Sequence, residues 1–153
     1  MPALCVGLTL LSASTPIPEG LARVSGAPLQ ISQLRGQWLL VNYWAEWCKP
    51  CVAEIPELNH FAAAQGARAR VLGVNYDGVA GAALAAQVKK MGIDFDVLAE
   101  DPAAALGFER PQVLPATYVL NAEGELIQVL IGPQTEASLS AAVAAPASAE
   151  QGQ

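Results

Sequence analysis

The chain has 153 residues, 53% hydrophobic and 14% charged, and 8 Lys+Arg against 14 Asp+Glu give a formal net charge of -6. That length suits one domain burying roughly two thirds of its unfolded surface, and with no basic surplus to meet phosphates, nucleic acid is not expected as a partner. Three cysteines are too few for a disulfide scaffold, so the core must come from the apolar residues.

From the N-terminus, residues 3–13 form an apolar stretch that is too short for a membrane span of about 20 residues but suits a signal-peptide core. No Lys or Arg precedes Arg23, so the expectation is a truncated or mis-started signal. Leu11-Ser12-Ala13-Ser14 is similar to a lipoprotein cleavage box with Ser14 in place of the lipid-bearing Cys. Residues 1–20 are accordingly read as a signal-like segment and linker, 21–145 as the domain and 146–153 as a flexible tail.

Within the domain, runs at 21–24 and 28–31 flank Ser25-Gly26-Ala27 and predict a hairpin, followed by a turn over 32–37. Residues 38–44 are nearly all apolar, as befits a central strand buried on both faces. A helix is expected over 50–65, kinked at Pro56 and ended by Gly66. A strand at 70–75 and an Ala-rich helix at 80–91 stopped by Gly92 come next. A short strand at 96–98 and a helical turn at 102–106 lead to strands at 117–120 and 126–131, joined by the hairpin signal Asn121-Ala122-Glu123-Gly124. A last helix is expected over 136–145. The order implies an α/β fold, a parallel sheet covered on both faces with antiparallel pairs added by the closing hairpin.

Trp47-Cys48-Lys49-Pro50-Cys51 stands where the central strand gives way to the first long helix, at the carboxyl end where open α/β sheets carry their sites. Two thiols at this spacing can open and close a disulfide. Cys48 falls at a helix N-terminus, whose unpaired N–H groups and dipole favour a thiolate, and Lys49 adds positive charge. Pro50 costs little in a first turn, and Cys51, one turn on, can reach back to resolve a mixed disulfide. Read instead as half of a zinc site, the pair has only Cys5 and His60 to draw on, neither with a second pair. His60 reads as a helix-surface or packing residue, and Glu100-Asp101, Lys89-Lys90 and Glu123/Glu125 as solvated charge.

Residues 41–56, Val-Asn-Tyr-Trp-Ala-Glu-Trp-Cys-Lys-Pro-Cys-Val-Ala-Glu-Ile-Pro, resemble the active-site segment of the thioredoxin-like, extracytoplasmic TlpA/ResA/CcmG group, with its W-C-x-P-C-x-x-E-x-P pattern. The resemblance covers about residues 29–143. It implies a thioredoxin fold, a central mixed β-sheet flanked by helices, with an N-terminal hairpin and a central αβ insertion at 77–101. That insertion is expected either to influence partner choice or simply to add packing. Pro115 matches the cis-proline that faces the disulfide in the family, and Leu114 the neighbour that docks substrate, where Val or Thr is common. With Trp47 and Pro50 these make up the implied substrate-binding set, Trp44 and Trp47 shaping the rim and packing. Asn42 stands where cytoplasmic thioredoxins have a buried Asp, and Glu54 matches the group's substitute acid/base for Cys51.

The resemblance further implies a thiol:disulfide oxidoreductase cycling Cys48 and Cys51, with no cofactor or metal beyond that redox-active disulfide. It would act on disulfide-bearing proteins in the periplasm or another extracytoplasmic space, in cytochrome c maturation or in keeping envelope thiols reduced. Re-reduction by a membrane electron donor and a monomeric state are expected, with anchoring through the missing or truncated signal. Two other readings are a peroxiredoxin-type thiol peroxidase, although residues 45–48 are Ala-Glu-Trp-Cys rather than T-x-x-C, and a non-enzymatic Cu(I)-binding module.

Overall fold

The computed structural model describes residues 20–144; the signal-like stretch, Cys5 and the tail at 146–153 lie outside them. Strand β3 (Trp38–Trp44) is the centre of a five-stranded sheet ordered β5-β4-β3-β6-β7. It runs parallel to β4 (Ala69–Asn75), which runs parallel to β5 (Asp96–Val97), and antiparallel to β6 (Ala116–Leu120), itself antiparallel to β7 (Leu126–Ile131). Helices α1 (Lys49–Gln65), α2 (Gly81–Met91), α3 (Ala103–Leu106) and α4 (Glu136–Ala142) complete the main elements.

Alternation along β3 divides the core in two, since successive strand side chains point to opposite faces. Leu40 and Trp44 join Ile55, Leu58 and Phe61 of α1 and Leu139 of α4 on one face. Leu39, Val41 and Tyr43 join Leu72, Val74, Leu98 and Tyr118 on the other. That second face is covered by the N-terminal hairpin of β1 (Gly20–Leu21) and β2 (Leu29–Gln30), the 3-10 turn Ile31–Leu34, and α3 with Phe108. Fully burying a Leu or Phe contributes about 1.5–3 kcal/mol, so these two layers are the main source of stability.

The predicted elements are all present, with shifts at their ends. The hairpin strands shrink to two residues each because Arg23 leaves the hairpin for the sheet. It bridges to Leu98, while Val24 N–H donates to the Val97 carbonyl (2.8 Å) and Ala99 N–H to the Ala22 carbonyl (2.8 Å). The Arg23 guanidinium also pairs with Asp96 at 2.8 Å, and Arg70 reaches the same carboxylate at 3.1 Å. Edge strand β5 is thereby covered. On the opposite edge, Leu126, Val129 and Ile131 of β7 are exposed.

Helix α1 runs unbroken through Pro56. Both Pro56 and Val52, whose carbonyl loses its donor there, lie on the exposed side, where water can replace the missing bond. Gly92 ends α2 at φ 67°, the left-handed conformation a side chain resists, with its N–H donated back to the Lys89 and Val88 carbonyls.

Gly73 is required for a different reason. A Cβ there would stand 3.0 Å from Phe95 Cε2, 3.0 Å from Trp44 Nε1 and 3.2 Å from Val97 Cγ2. All three belong to packed side chains with little room to retreat, so Gly73→Ala is expected to lower unfolding free energy by about 1–3 kcal/mol. Urea unfolding of the two proteins tests this; equal midpoints and slopes would show that the layer yields freely.

Candidate active site: the dithiol at the head of the first long helix

The chain leaves β3 at Trp44, turns through a Cys48 N–H bond to the Ala45 carbonyl (3.2 Å), and enters α1. Cys48 is the N-cap of α1. Its backbone is extended (φ -86°, ψ 99°), its sulfur accepts from Cys51 N–H at 3.3 Å, and its carbonyl accepts from Val52 N–H at 3.1 Å. A helix begins here because Lys49 and Pro50 fill the two positions whose N–H groups need no partner. Cys48 and Cys51 are joined as a disulfide with Cα atoms 5.2 Å apart. Cys48 keeps 4% of its surface exposed and Cys51 none, so both are buried and Cys48 is the less enclosed of the two.

The two tryptophans divide the roles expected of them. Trp44 is wholly buried among the core residues, whereas Trp47 is 66% exposed on the rim. Trp47 is held in place by its indole N–H, which donates to Asp77 at 2.9 Å. Leu114–Pro115 is a cis peptide bond, as the resemblance implied. Ala116 pairs with Tyr43 across β6 and β3, so Pro115, which is buried, directly precedes β6 at the end of the sheet where β3 runs out toward Cys48. The Pro115 carbonyl accepts from Gly132 N–H at 2.9 Å, tying this loop to the end of β7. Leu114 is half-buried against both core layers, and exposure here belongs to Val113, a residue the sequence did not single out.

Glu54, one turn beyond Cys51, is 1% exposed. Asn42 Nδ2 donates to its Oε1 at 2.7 Å, and Gln134 N–H donates to its Oε2 at 2.9 Å. Burial pushes this carboxyl above the ordinary range by disfavouring its charge, while the two hydrogen bonds pull in the opposite direction and do not cancel the rise. Asn42 donates also to Thr117 Oγ1 at 3.0 Å. His60 lies exposed on α1, and among the described residues no group of three or more His, Cys, Asp or Glu is gathered to hold a metal.

Several residues first read as solvated charge turn out to brace the site. Asp101 accepts from the Tyr43 hydroxyl (2.6 Å) and Ala103 N–H (2.9 Å) and pairs with Arg110 at 2.7 Å. Arg110 donates to the Tyr76 carbonyl at 2.6 Å and lies 4.7 Å over the Tyr76 ring. Lys90 pairs with Glu46 in the loop before Cys48; Glu125, by contrast, accepts from Asn121 Nδ2 at 2.9 Å within the β6–β7 turn, at the opposite end of the sheet. Burial, reinforced by Asp101, pushes the Tyr43 hydroxyl above its ordinary value, and Tyr118 is raised for the same two reasons, with Glu109 adding to it. The contacts of Asp101 with Tyr43 and Arg110, of Arg110 with Tyr76 and of Lys90 with Glu46 join residues 9 to 58 positions apart, and no sequence pattern announces such pairings.

A disulfide capping a helix at the carboxyl end of this sheet, with its first cysteine at the N-cap and its second inside the helix, is placed to exchange electrons with other disulfides. The class so defined is the thiol:disulfide oxidoreductases of the thioredoxin fold.

Comparison with known proteins agrees. The chain belongs to the AhpC/TSA family, whose model matches residues 15–129. It is similar to the thiol-disulfide oxidoreductase ResA of Bacillus subtilis, 28% identical over 146 residues, covering 88% of this chain and 81% of the relative. It is also similar to the thiol:disulfide interchange protein HelX of Rhodobacter capsulatus, 31% identical over 112 residues, covering 72% and 61% respectively. Among solved structures, a thiol:disulfide interchange protein of the thioredoxin family from Chlorobium tepidum superposes with a TM-score of 0.66 at 24% identity, covering 82% of this chain and 90% of that one. Among the described residues no helix is long and apolar enough to cross a membrane.

The raised Glu54 carboxyl has a consequence for stability. Above the ordinary value of 4.5 the native chain holds a proton that the unfolded chain has released, so unfolding free energy falls as pH rises through that window. Glu54→Gln removes this dependence. Urea unfolding from pH 4 upward should show the parent losing stability relative to Glu54→Gln; parallel curves would mean that Glu54 titrates as an ordinary carboxyl.

Proposed function

We propose that the protein reduces disulfides in other proteins, with Cys48 as the attacking thiol and Cys51 as the resolving thiol. The observation that carries this assignment is the placement of the two cysteines: Cys48 is the N-cap of α1 and keeps 4% of its surface exposed, while Cys51, inside the helix, keeps none. In the reduced protein the Cys48 thiolate attacks one sulfur of the substrate disulfide. A mixed disulfide forms, and the other substrate sulfur leaves as a thiolate and takes a proton from water. Cys51 then gives its proton to Glu54 and attacks Cys48 Sγ, so that the second substrate sulfur departs as a thiolate, which takes a proton from water, and the Cys48–Cys51 disulfide closes. Two electrons pass from the dithiol to the substrate.

Trp47, Pro50, Leu114 and Pro115 serve in this reading as the surface on which the substrate strand lies. The exposed indole of Trp47, fixed by Asp77, supports that role. Work outside the cytoplasm, in cytochrome c maturation or in keeping envelope thiols reduced, fits the similarity to ResA and HelX. Re-reduction would come from a membrane electron donor, and the protein would act as a monomer.

Cys51→Ser leaves Cys48 able to attack but removes resolution. Expressed in its host, this variant should accumulate mixed disulfides on Cys48 that dithiothreitol releases, and mass spectrometry would identify the trapped proteins. Cys48→Ser should trap none. Trapping on Cys51 instead would reverse the two roles. Glu54→Gln should slow resolution at neutral pH on the order of 10²-fold while leaving the first attack intact; an unchanged rate would remove Glu54 from the mechanism.

A further inference from the structure

We propose that Asn42 is a positioning residue for proton transfer at the disulfide: its amide N–H holds Glu54 and, with Gln134 N–H, keeps that enclosed carboxyl able to ionise. The inference deepens the role given above to Glu54 and rests on it for its catalytic meaning, though not for its physical content.

The geometry is that of a carboxylate cradle. Each Glu54 oxygen meets an N–H donor, Asn42 Nδ2 at 2.7 Å and Gln134 N at 2.9 Å. A neutral carboxylic acid would have to donate from one of those oxygens into a donor already there, so the cradle suits the charged form. Burial at 1% exposure suits the neutral form. The two effects oppose one another, and a carboxyl left to burial alone would keep its proton and could not accept another from Cys51.

Asn42 is built into this arrangement. It lies on β3 between Leu40 and Trp44 on the face that packs against α1, and it is wholly buried. Its second N–H donates to Thr117 Oγ1 at 3.0 Å, and Thr117 is its register partner on β6, so the amide is fixed at both hydrogens. Its own Oδ1 is buried and, among the described residues, meets no hydrogen-bond donor. The side chain thus leaves its acceptor unused in order to aim both donors, an arrangement packing alone does not call for.

Among the described residues no charged group acts on Glu54. On α1 the neighbouring titratable groups are Cys51 and Glu57, and Glu57 is occupied by Glu136 N–H of α4 at 2.7 Å. Its hydrogen-bond partners, from β3 and the loop after β7, are the neutral Asn42 and Gln134, and Thr117 of β6 meets Asn42. The shift at Glu54 accordingly has burial and the two hydrogen bonds as its causes, with Asn42 lowering it.

The test follows Glu54 by carboxyl carbon NMR in the oxidised protein, where the disulfide removes both thiols from the titration. Asn42→Leu deletes the donor, and the Glu54 midpoint should move to higher pH. Asn42→Asp, close to the parent in shape and decisive if the Leu variant fails to fold, sets a second carboxyl against the first. The pair should titrate in two steps, the upper one above the parent midpoint. Thr117→Val keeps the Asn42 donor to Glu54 and should leave the midpoint in place. An unmoved midpoint in the folded Asn42 variants, or an equal shift in Thr117→Val, overturns the proposal. In the rate of mixed-disulfide resolution, Asn42→Leu should move the pH profile to higher pH, with no such movement in a Glu54→Gln background. If the midpoint moves but Glu54→Gln leaves the parent rate profile unchanged, the hold of Asn42 on Glu54 stands and the assignment of Glu54 as the proton acceptor of Cys51 falls.

Discussion

Strand β3 is hydrogen-bonded along both edges and buried on both faces, and the site depends on that enclosure. Such a strand cannot slide by one residue without exchanging Leu40, Asn42 and Trp44 for Leu39, Val41 and Tyr43. Its carboxyl end is therefore a fixed point, and so is the turn that begins α1. Cys48 takes the N-cap because the strand ends at Trp44 and the helix can begin only after the loop at 45–48. The same enclosure carries Asn42 into the core beneath α1, where the polar pair with Glu54 becomes unavoidable once both are buried.

The elements and the thiol pair were legible because their signals are local. An apolar run of strand length, a cysteine pair ahead of a helical pattern, and glycines at helix ends each act through neighbours a few residues away. Residues 41–56 carried the family resemblance for the same reason. The braces were not legible. Asp101 reads as surface charge until the Tyr43 hydroxyl and Arg110 are brought to it from 58 residues before and nine after. The partner of Glu54 at Gln134 is a backbone N–H, which any residue but proline would supply, so no side chain could have pointed to it.

The segment at 77–101 contributes more than bulk. Asp77 holds the Trp47 indole, Lys90 meets Glu46, and Asp101 anchors the arginine that clasps the end of β4. Three loops at one end of the sheet are thus laced through polar contacts rather than apolar packing. Exposed ion pairs contribute little to global stability, typically 0–1 kcal/mol each. Their effect here is local: they hold the rim of the disulfide in place while the core beneath carries the fold.

The two margins of the sheet are unequal. On one side the backbone at residues 22–24 runs alongside β5 and uses its outward hydrogen-bonding groups, and Arg23 fastens the join through Asp96. On the other, β7 carries Leu126, Val129 and Ile131 at its surface, and residues 126–131 include no charged side chain to discourage pairing. Among the described residues, growth of this sheet by an additional strand is therefore directional: one flank is already sealed by residues 22–24, and a visiting backbone would find an opening along the other.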